Sequence, residues 1–341
     1  MRTKQWNYTA AFGLLLFVLS LAWGCGGNAP PDISKVSINQ GFHRFDRLLM
    51  ERAKDSLALE QCLDSLALEH PEFVNLYGPE LLGFVPQVPI MSQYLSFFRD
   101  SEIGGLYDST RQVFGDFEKE KAAFHTAFRY YRYYLPEAHI PDIAMYLFGF
   151  NYVVVPLDSV LYIAPDQYLG PQSTYLAHLP AYIKARRSPE YLVCDGLKAW
   201  CTLEFAPEKE GELSLLEEMI WQGKVLAITK RCMPEVADSV LFGFTSAQVK
   251  FCIEHEYQIW GHLIEEQKLF ATDSRTVQRY IGEAPFSSGM PAESPGRAAT
   301  WIGWRIVESW MNTQDQSLAA LIKESDAQKM LEQSQYKPKR R

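Results

Sequence analysis

The chain has 341 residues, 47% hydrophobic and 22% charged, a balance that excludes a disordered or collagen-like polymer. A formal charge of -8 gives no overall attraction to nucleic acid. Six cysteines are too few for a disulfide scaffold at this length, whereas 20 Phe, 18 Tyr and 8 Trp supply a large core.

Arg2 and Lys4 precede an apolar run from Ala10 to Trp23 that ends at Gly24-Cys25-Gly26-Gly27. The run is shorter than the roughly 20 residues that cross a bilayer. Basic flank, short apolar core and small closing residues are the parts of a signal peptide. Cys25 directly after Gly24 resembles the lipobox of bacterial lipoproteins, in which the sulfur is acylated and cleavage leaves the cysteine first. Ala22 and Trp23 stand where Leu and a small residue are more usual. The alternative is a plain secretory signal with a chance cysteine. On the lipoprotein reading, residues 1–24 are the signal peptide and residues 25–34 form the acylated cysteine and its tether. Gly26 to Pro31 suit a flexible linker, and several acyl chains, palmitate among them, hold stably where one does not. Loss of Arg2 and Lys4 moves the charge from -8 to -10. Five cysteines remain, Cys62, Cys194, Cys201, Cys232 and Cys252, an odd number that leaves at least one free thiol or an intermolecular partner.

No repeat or long linker divides the remainder, which reads as one domain over residues 35–331 followed by a basic tail at 332–341. Apolar spacing predicts a helix over 43–69. Phe117, Phe124, Phe128, Tyr131 and Leu135 form the stripe of an amphipathic helix over 116–135. Arg129, Tyr130, Arg132 and Tyr133 beside that stripe could stack single-stranded nucleic acid, but export and acidity favour a core helix with solvated arginines. Ile143–Phe150, Tyr152–Pro156 and Val160–Ala164 are β-branched and aromatic and read as about three antiparallel strands. Helices follow over 174–186, 189–201, 213–230, 246–270, 274–282, 297–312 and 315–332, with a Ser-, Gly- and Pro-rich loop from Pro285 to Gly296. The class is α+β, predominantly helical with one small antiparallel sheet.

His255-Glu256-Tyr257-Gln258-Ile259 begins like the HExxH of zinc peptidases, but the next histidine is His262. Seven residues is about 10.5 Å along a helix, too far for one zinc ion, so no metal is expected there. Glu256 falls in line with Ile253, Trp260 and Leu263. A carboxylate on an apolar face is either partnered or shifted in pKa, so it reads as a structural acid or as a catalytic one. There is no GxSxG elbow and no P-loop. Gly223 before Lys224 reads as a close-packing site, and Cys194 and Cys201 do not make a CxxC. Asp166 follows the third predicted strand, where an Asx turn is the common reason for an acid.

These residues carry a resemblance. Arg44-Phe45-Asp46-Arg47, Asp166-Gln167-Tyr168-Leu169-Gly170, Met219-Ile220-Trp221-Gln222-Gly223-Lys224 and Gly243-Phe244-Thr245 are similar to blocks of the gliding-motility lipoprotein family GldB of Bacteroidetes. So are Glu256 to Trp260, Leu269 to Asp273, Ala284-Pro285-Phe286, Ser294 to Arg297, Trp301 to Trp304 and Tyr336-Lys337-Pro338. Ala164-Pro165 stands where the family usually has Gly-Leu, and His255 where Asn is common. The resemblance runs in order over almost the whole mature chain. It implies a membrane-anchored, periplasm-facing lipoprotein of the cell envelope, needed for gliding motility and linked to type IX secretion, with no enzyme activity. A fainter likeness to zinc metallopeptidases, without their HExxH, implies a degenerate zincin-like scaffold. Its partners would be the membrane, through Cys25, and other envelope lipoproteins or the motility and secretion machinery. No cofactor is implied. Asp166, Tyr168, Lys224, Glu256, Trp260, Arg297 and Trp301 are candidates for a cleft or partner surface. The alternatives are a peptide- or glycan-directed hydrolase using Glu256 or Asp166, and a ligand-binding surface lipoprotein. The residues after Cys25 hold no early acidic run, unlike surface-exported lipoproteins. Lys337-Pro338-Lys339-Arg340-Arg341 reads as a solvated tail or as a contact to anionic head groups.

Overall fold

A computed structural model describes residues 29–147, 152–209, 211–265 and 267–340. Two units are distinguished, residues 1–35 and residues 36–341. In the first, the Asp32 carboxylate accepts from the Ser34 backbone N–H at 2.8 Å and from its hydroxyl at 3.1 Å, a local turn.

Strand β1 (Phe42–Arg44) passes directly into helix α1 (Phe45–Arg52). Arg44 turns back on Asp46 in a bidentate pair, 2.8 Å on each arm, and lies 4.4 Å above the Phe117 ring. The Asp46 carboxylate is fully buried, so it needs this fork. Helix α2 (Ser56–Glu69) starts at Asp55, which accepts from the Ala58 N–H at 2.9 Å. Then come α3 (Pro71–Leu76), α4 (Ile90–Phe98), α5 (Ser101–Phe114) and α6 (Glu118–Tyr134). The amphipathic helix expected at 116–135 is α6; its Phe124, Phe128 and Tyr131 are fully buried.

Strands β2 (Asp142–Met145), β3 (Val154–Leu157) and β4 (Val160–Ile163) complete a four-stranded sheet in the order β1-β2-β4-β3. The first two pairings are parallel and β3–β4 is antiparallel. The expected three-stranded antiparallel sheet is thus a mixed sheet of four. Only the β3–β4 hairpin is local, closed by Asp158-Ser159 with Asp158 at φ 51°. The extra strand is three residues from a distant segment that merges into helical periodicity, so it carried no strand signal. The expected first strand is formed only to Met145; its remainder, with the turn Gly149-Phe150-Asn151, falls partly outside the described residues.

Alternation along the sheet separates two apolar cores. Ile143, Met145, Leu161 and Ile163 enter the larger one. Ala144, Tyr146, Val160 and Tyr162 enter a smaller one with Phe45, Leu49, Phe73 and Tyr77. Coverage of both faces suits parallel pairing.

After the short α7 (Ala181–Lys184), which buries no residue, the larger core is built by α8 (Pro189–Glu204), α9 (Leu215–Cys232), α10 (Asp238–Phe242), α11 (Ser246–Glu254), α12 (Glu256–Glu265), α13 (Ser274–Ile281), α14 (Ala298–Gln314), α15 (Leu318–Lys323) and α16 (Ala327–Ser334), together with α6. Helix α9 opens with a capping box between Ser214 and Glu217. It crosses α14 glycine to glycine: a Cβ on Gly303 would lie 1.9 Å from the Met219 carbonyl oxygen, and one on Gly223 2.6 Å from that of Gly303. Gly223 is the close-packing site its setting predicts. The helix expected over 246–270 breaks at His255 (φ -113°, ψ 19°), whose ring stacks 4.3 Å from that of Phe251. The segment 174–186 holds only a 3-10 turn and α7, because Pro180 interrupts the ladder. The helix expected over 315–332 divides where Asp326 caps α16. That last helix runs to Ser334, past the expected domain end. No helix among the described residues is long and apolar enough to cross a membrane.

Candidate functional site

Four of the seven candidates in the domain gather around the N-terminal half of α14. Glu256 opens α12 at the His255 break, and its side chain is 14% exposed. Its carboxylate accepts from Arg305 Nε at 3.1 and 3.2 Å, from Trp301 Nε1 at 3.3 Å and from the Tyr336 hydroxyl at 2.9 Å. Trp301 and Arg305 lie four apart on α14 and so share a face. The Trp260 ring meets that of Tyr336 edge-on at 5.6 Å. Burial, and then the nearby Glu256 charge, push the Tyr336 hydroxyl far up in pKa, so it stays a donor. Glu256 therefore ties α12, α14 and the C-terminal segment together, in a clamp with both oxygens engaged. Tyr336 thus fixes the chain just before the basic tail, in which Lys337, Lys339 and Arg340 are exposed. Beside the clamp lies a cavity of about 440 Å³ lined by Arg305, Glu308, Asn312 and Lys337 among others.

Arg297 takes a left-handed backbone (φ 61°) at the start of α14. Its guanidinium donates to the Phe242 carbonyl at 2.8 Å and lies 3.3 Å from Glu283, which also holds Arg186 at 2.7 Å. Burial lowers the Arg297 pKa, and the Glu283 charge opposes that. The Phe242 ring packs 4.9 Å from Trp301, so this network adjoins the Glu256 clamp. A Cβ on the neighbouring Gly296 would lie 2.1 Å from the Ala284 oxygen, which fixes the loop entering α14.

Tyr168 is fully buried and donates to Asp195 at 3.1 Å. Asp195 pairs with Lys198 at 2.8 Å, and Lys198 also donates to the Leu241 carbonyl. Burial works against the Lys198 charge, but Asp195 together with Cys194 outweighs it and the pKa is raised. Asp166 sits in the 3-10 turn Pro165–Tyr168, fully buried, and accepts from the Gln167 amide at 3.0 Å. It does not line the cavity beside Glu256, so the two carboxylates of the hydrolase alternative do not share a cleft.

Lys224 lies apart from these groups. It lines a cavity of about 600 Å³ between α9, α15 and the segment after α8. Cys25 lies outside the described residues. His262 Nε2 lies 3.4 Å from the Tyr280 hydroxyl, and no group of three side chains able to hold a metal occurs among the described residues. Sequence reasoning missed Arg305, Tyr336, Asp195, Lys198 and Glu283. The spacings Trp301–Arg305 and Asp195–Lys198 were readable signals; the partnership of Tyr336 with Glu256, 80 residues away, was not.

The family model described as gliding motility protein GldB matches residues 27–338. Searches of curated proteins and of solved structures give no match.

Proposed function

The chain belongs to the GldB family of gliding-motility lipoproteins, and from that premise we propose that it works in the cell envelope by contact and not by catalysis. On this reading Cys25 carries the lipid anchor, the domain faces the periplasm, and its partners are other envelope lipoproteins or the motility and type IX secretion machinery. The observation that carries it is the extent of the match, residues 27–338, which spans both cores and the Glu256 clamp. The geometry of the two acids supports the contact role. A hydrolytic acid or base needs a free oxygen facing substrate. Glu256 has donors on both oxygens, and Asp166 has no exposed surface.

Gene deletion in a gliding host tests this. Spreading and type IX export should both stop, and wild-type protein should restore them while Cys25→Ala does not. Spreading and export unchanged by deletion would overturn the reading. Protease treatment of intact cells fixes the side of the membrane: survival of the protein places it in the periplasm, and its loss places it outside.

A further inference from the structure

Helix α9 turns two faces to different tasks. Gly223 packs on α14, while Trp221, Lys224 and Ile228, spaced by three and four, stand together on another face and line the cavity of about 600 Å³. That volume is typical of small-molecule sites. Ile220, Ile228, Ile322 and Phe205 give it an apolar wall.

Two donors on this wall lack an acidic or acceptor side chain. The Lys224 ammonium donates to the main-chain oxygen of Glu324, and among the described residues it forms no ion pair with a carboxylate. The Trp221 indole Nε1 is buried and has no hydrogen-bond partner. The acids at the cavity do not answer them. Glu217 is held by Lys209 at 2.6 and 2.8 Å and by the Ser214 backbone N–H at 2.7 Å. Glu204 and Glu208 are exposed. The charge of Glu324 acts on Lys224, but that carboxylate is paired with Lys329 at 2.7 Å. A half-buried ammonium outside any ion pair among the described residues and an indole N–H without an acceptor, three residues apart on one helix, suit a carboxylate head. The isoleucine wall matches an apolar body.

We propose that this cavity binds a small ligand with an apolar body and a single carboxylate head, the head on Lys224 and Trp221 and the body against Ile220, Ile228 and Ile322. This goes beyond the envelope role and does not depend on lipidation. Burial lowers the Lys224 pKa and the Glu324 charge opposes that; a bound carboxylate would act in the same sense as Glu324.

The full-length lipoprotein in nanodiscs is titrated with 4-phenylbutyrate and with its amide, following tryptophan fluorescence against empty nanodiscs. The same is done with a capped tripeptide ending in Phe, as free acid and as amide. Each acid that binds should do so about tenfold or more tighter than its amide, as expected for a hydrogen bond to a charged group. Lys224→Gln should erase that preference, and Trp221→Phe, which keeps the ring and removes the donor, should reduce it. Tighter binding of the peptide acid assigns the ligand to a chain terminus; tighter binding of phenylbutyrate assigns it to a free carboxylate. Equal binding of acid and amide, no saturable binding of either acid, or an acid preference that survives Lys224→Gln would overturn the proposal. Thermal melts verify that Lys224→Gln folds; if it does not, Trp221→Phe alone decides.

Discussion

Glu256 shows what a single partly buried carboxylate can do when the donors around it come from other elements than its own. Arg305 and Trp301 come from one helix and Tyr336 from beyond the last one. Removing the charge leaves Arg305 without its counter-ion and weakens the hydrogen bonds of three donors at once. Glu256→Gln should therefore destabilise the protein by about 1–3 kcal/mol, read by thermal or denaturant unfolding. A catalytic acid would behave otherwise: its amide would melt unchanged or higher, and that result would return the hydrolase reading to consideration. His70 gives a second test. Its Nδ1 lies 3.2 Å from the Tyr162 hydroxyl, and its ring lies 6.0 Å from that of His43, with Glu69 and Asp142 also facing it. Burial, and then His43, lower the His70 pKa below its ordinary 6.5. The unfolded chain then binds the proton more readily than the folded one. The stability this neutral ring contributes is complete above pH 6.5 and is lost as pH falls through the lower folded value. Melting temperature should fall with pH in that window, and His70→Asn should flatten the slope; an unchanged slope would place its origin elsewhere.

At the level of elements, helices were legible wherever one apolar stripe ran without interruption. Helices α6, α8, α9 and α14 lie where the spacing of Phe, Leu and Trp predicts them. The errors have physical causes. Strand β1 is three residues long and pairs with a segment about a hundred positions away, so neither length nor turn chemistry could announce it. Helices α11 and α12 read as one because the break at His255 depends on its stacking with Phe251 and on the demand of Arg305 for Glu256. Of the candidate site, Glu256 was legible as a polar residue on an apolar face, and Arg297 only as part of a motif, since its role needs Glu283 brought alongside. Glycine permits a sharp contrast between elements. Gly303→Ala puts a methyl into the Met219 carbonyl, so α9 and α14 must separate; a loss of about 3 kcal/mol or more is expected. Gly104, inside α5, has no neighbour within 4 Å of an added Cβ. Gly104→Ala should gain about 0.5–1 kcal/mol through helix propensity. Chemical denaturation of both variants checks the pair, and equal losses would mean that the helix crossing is not what fixes Gly303.

For the molecule as a whole, anchoring and folding are separable. Residues 36–341 form a unit of their own with an apolar core on each face of the sheet. Its five described cysteines are all free. Burial pushes the Cys194 thiol up to about 11, which keeps that sulfur protonated and unreactive near neutral pH. None of the core contacts requires the acyl chains that the proposed function places on Cys25. Two or more such chains suffice to hold a protein stably at a bilayer, and in their absence the tether has nothing to insert. Cys25→Ala should consequently lose palmitate labelling and leave the membrane fraction, while its unfolding transition stays where the lipidated protein has it. Fractionation, metabolic labelling and calorimetry read the three quantities separately. Retention in the membrane would point to a second attachment, and a lowered transition would mean that the domain leans on its anchor. If the protein is released with its stability intact but spreading is not restored, proximity to the membrane is itself part of the function.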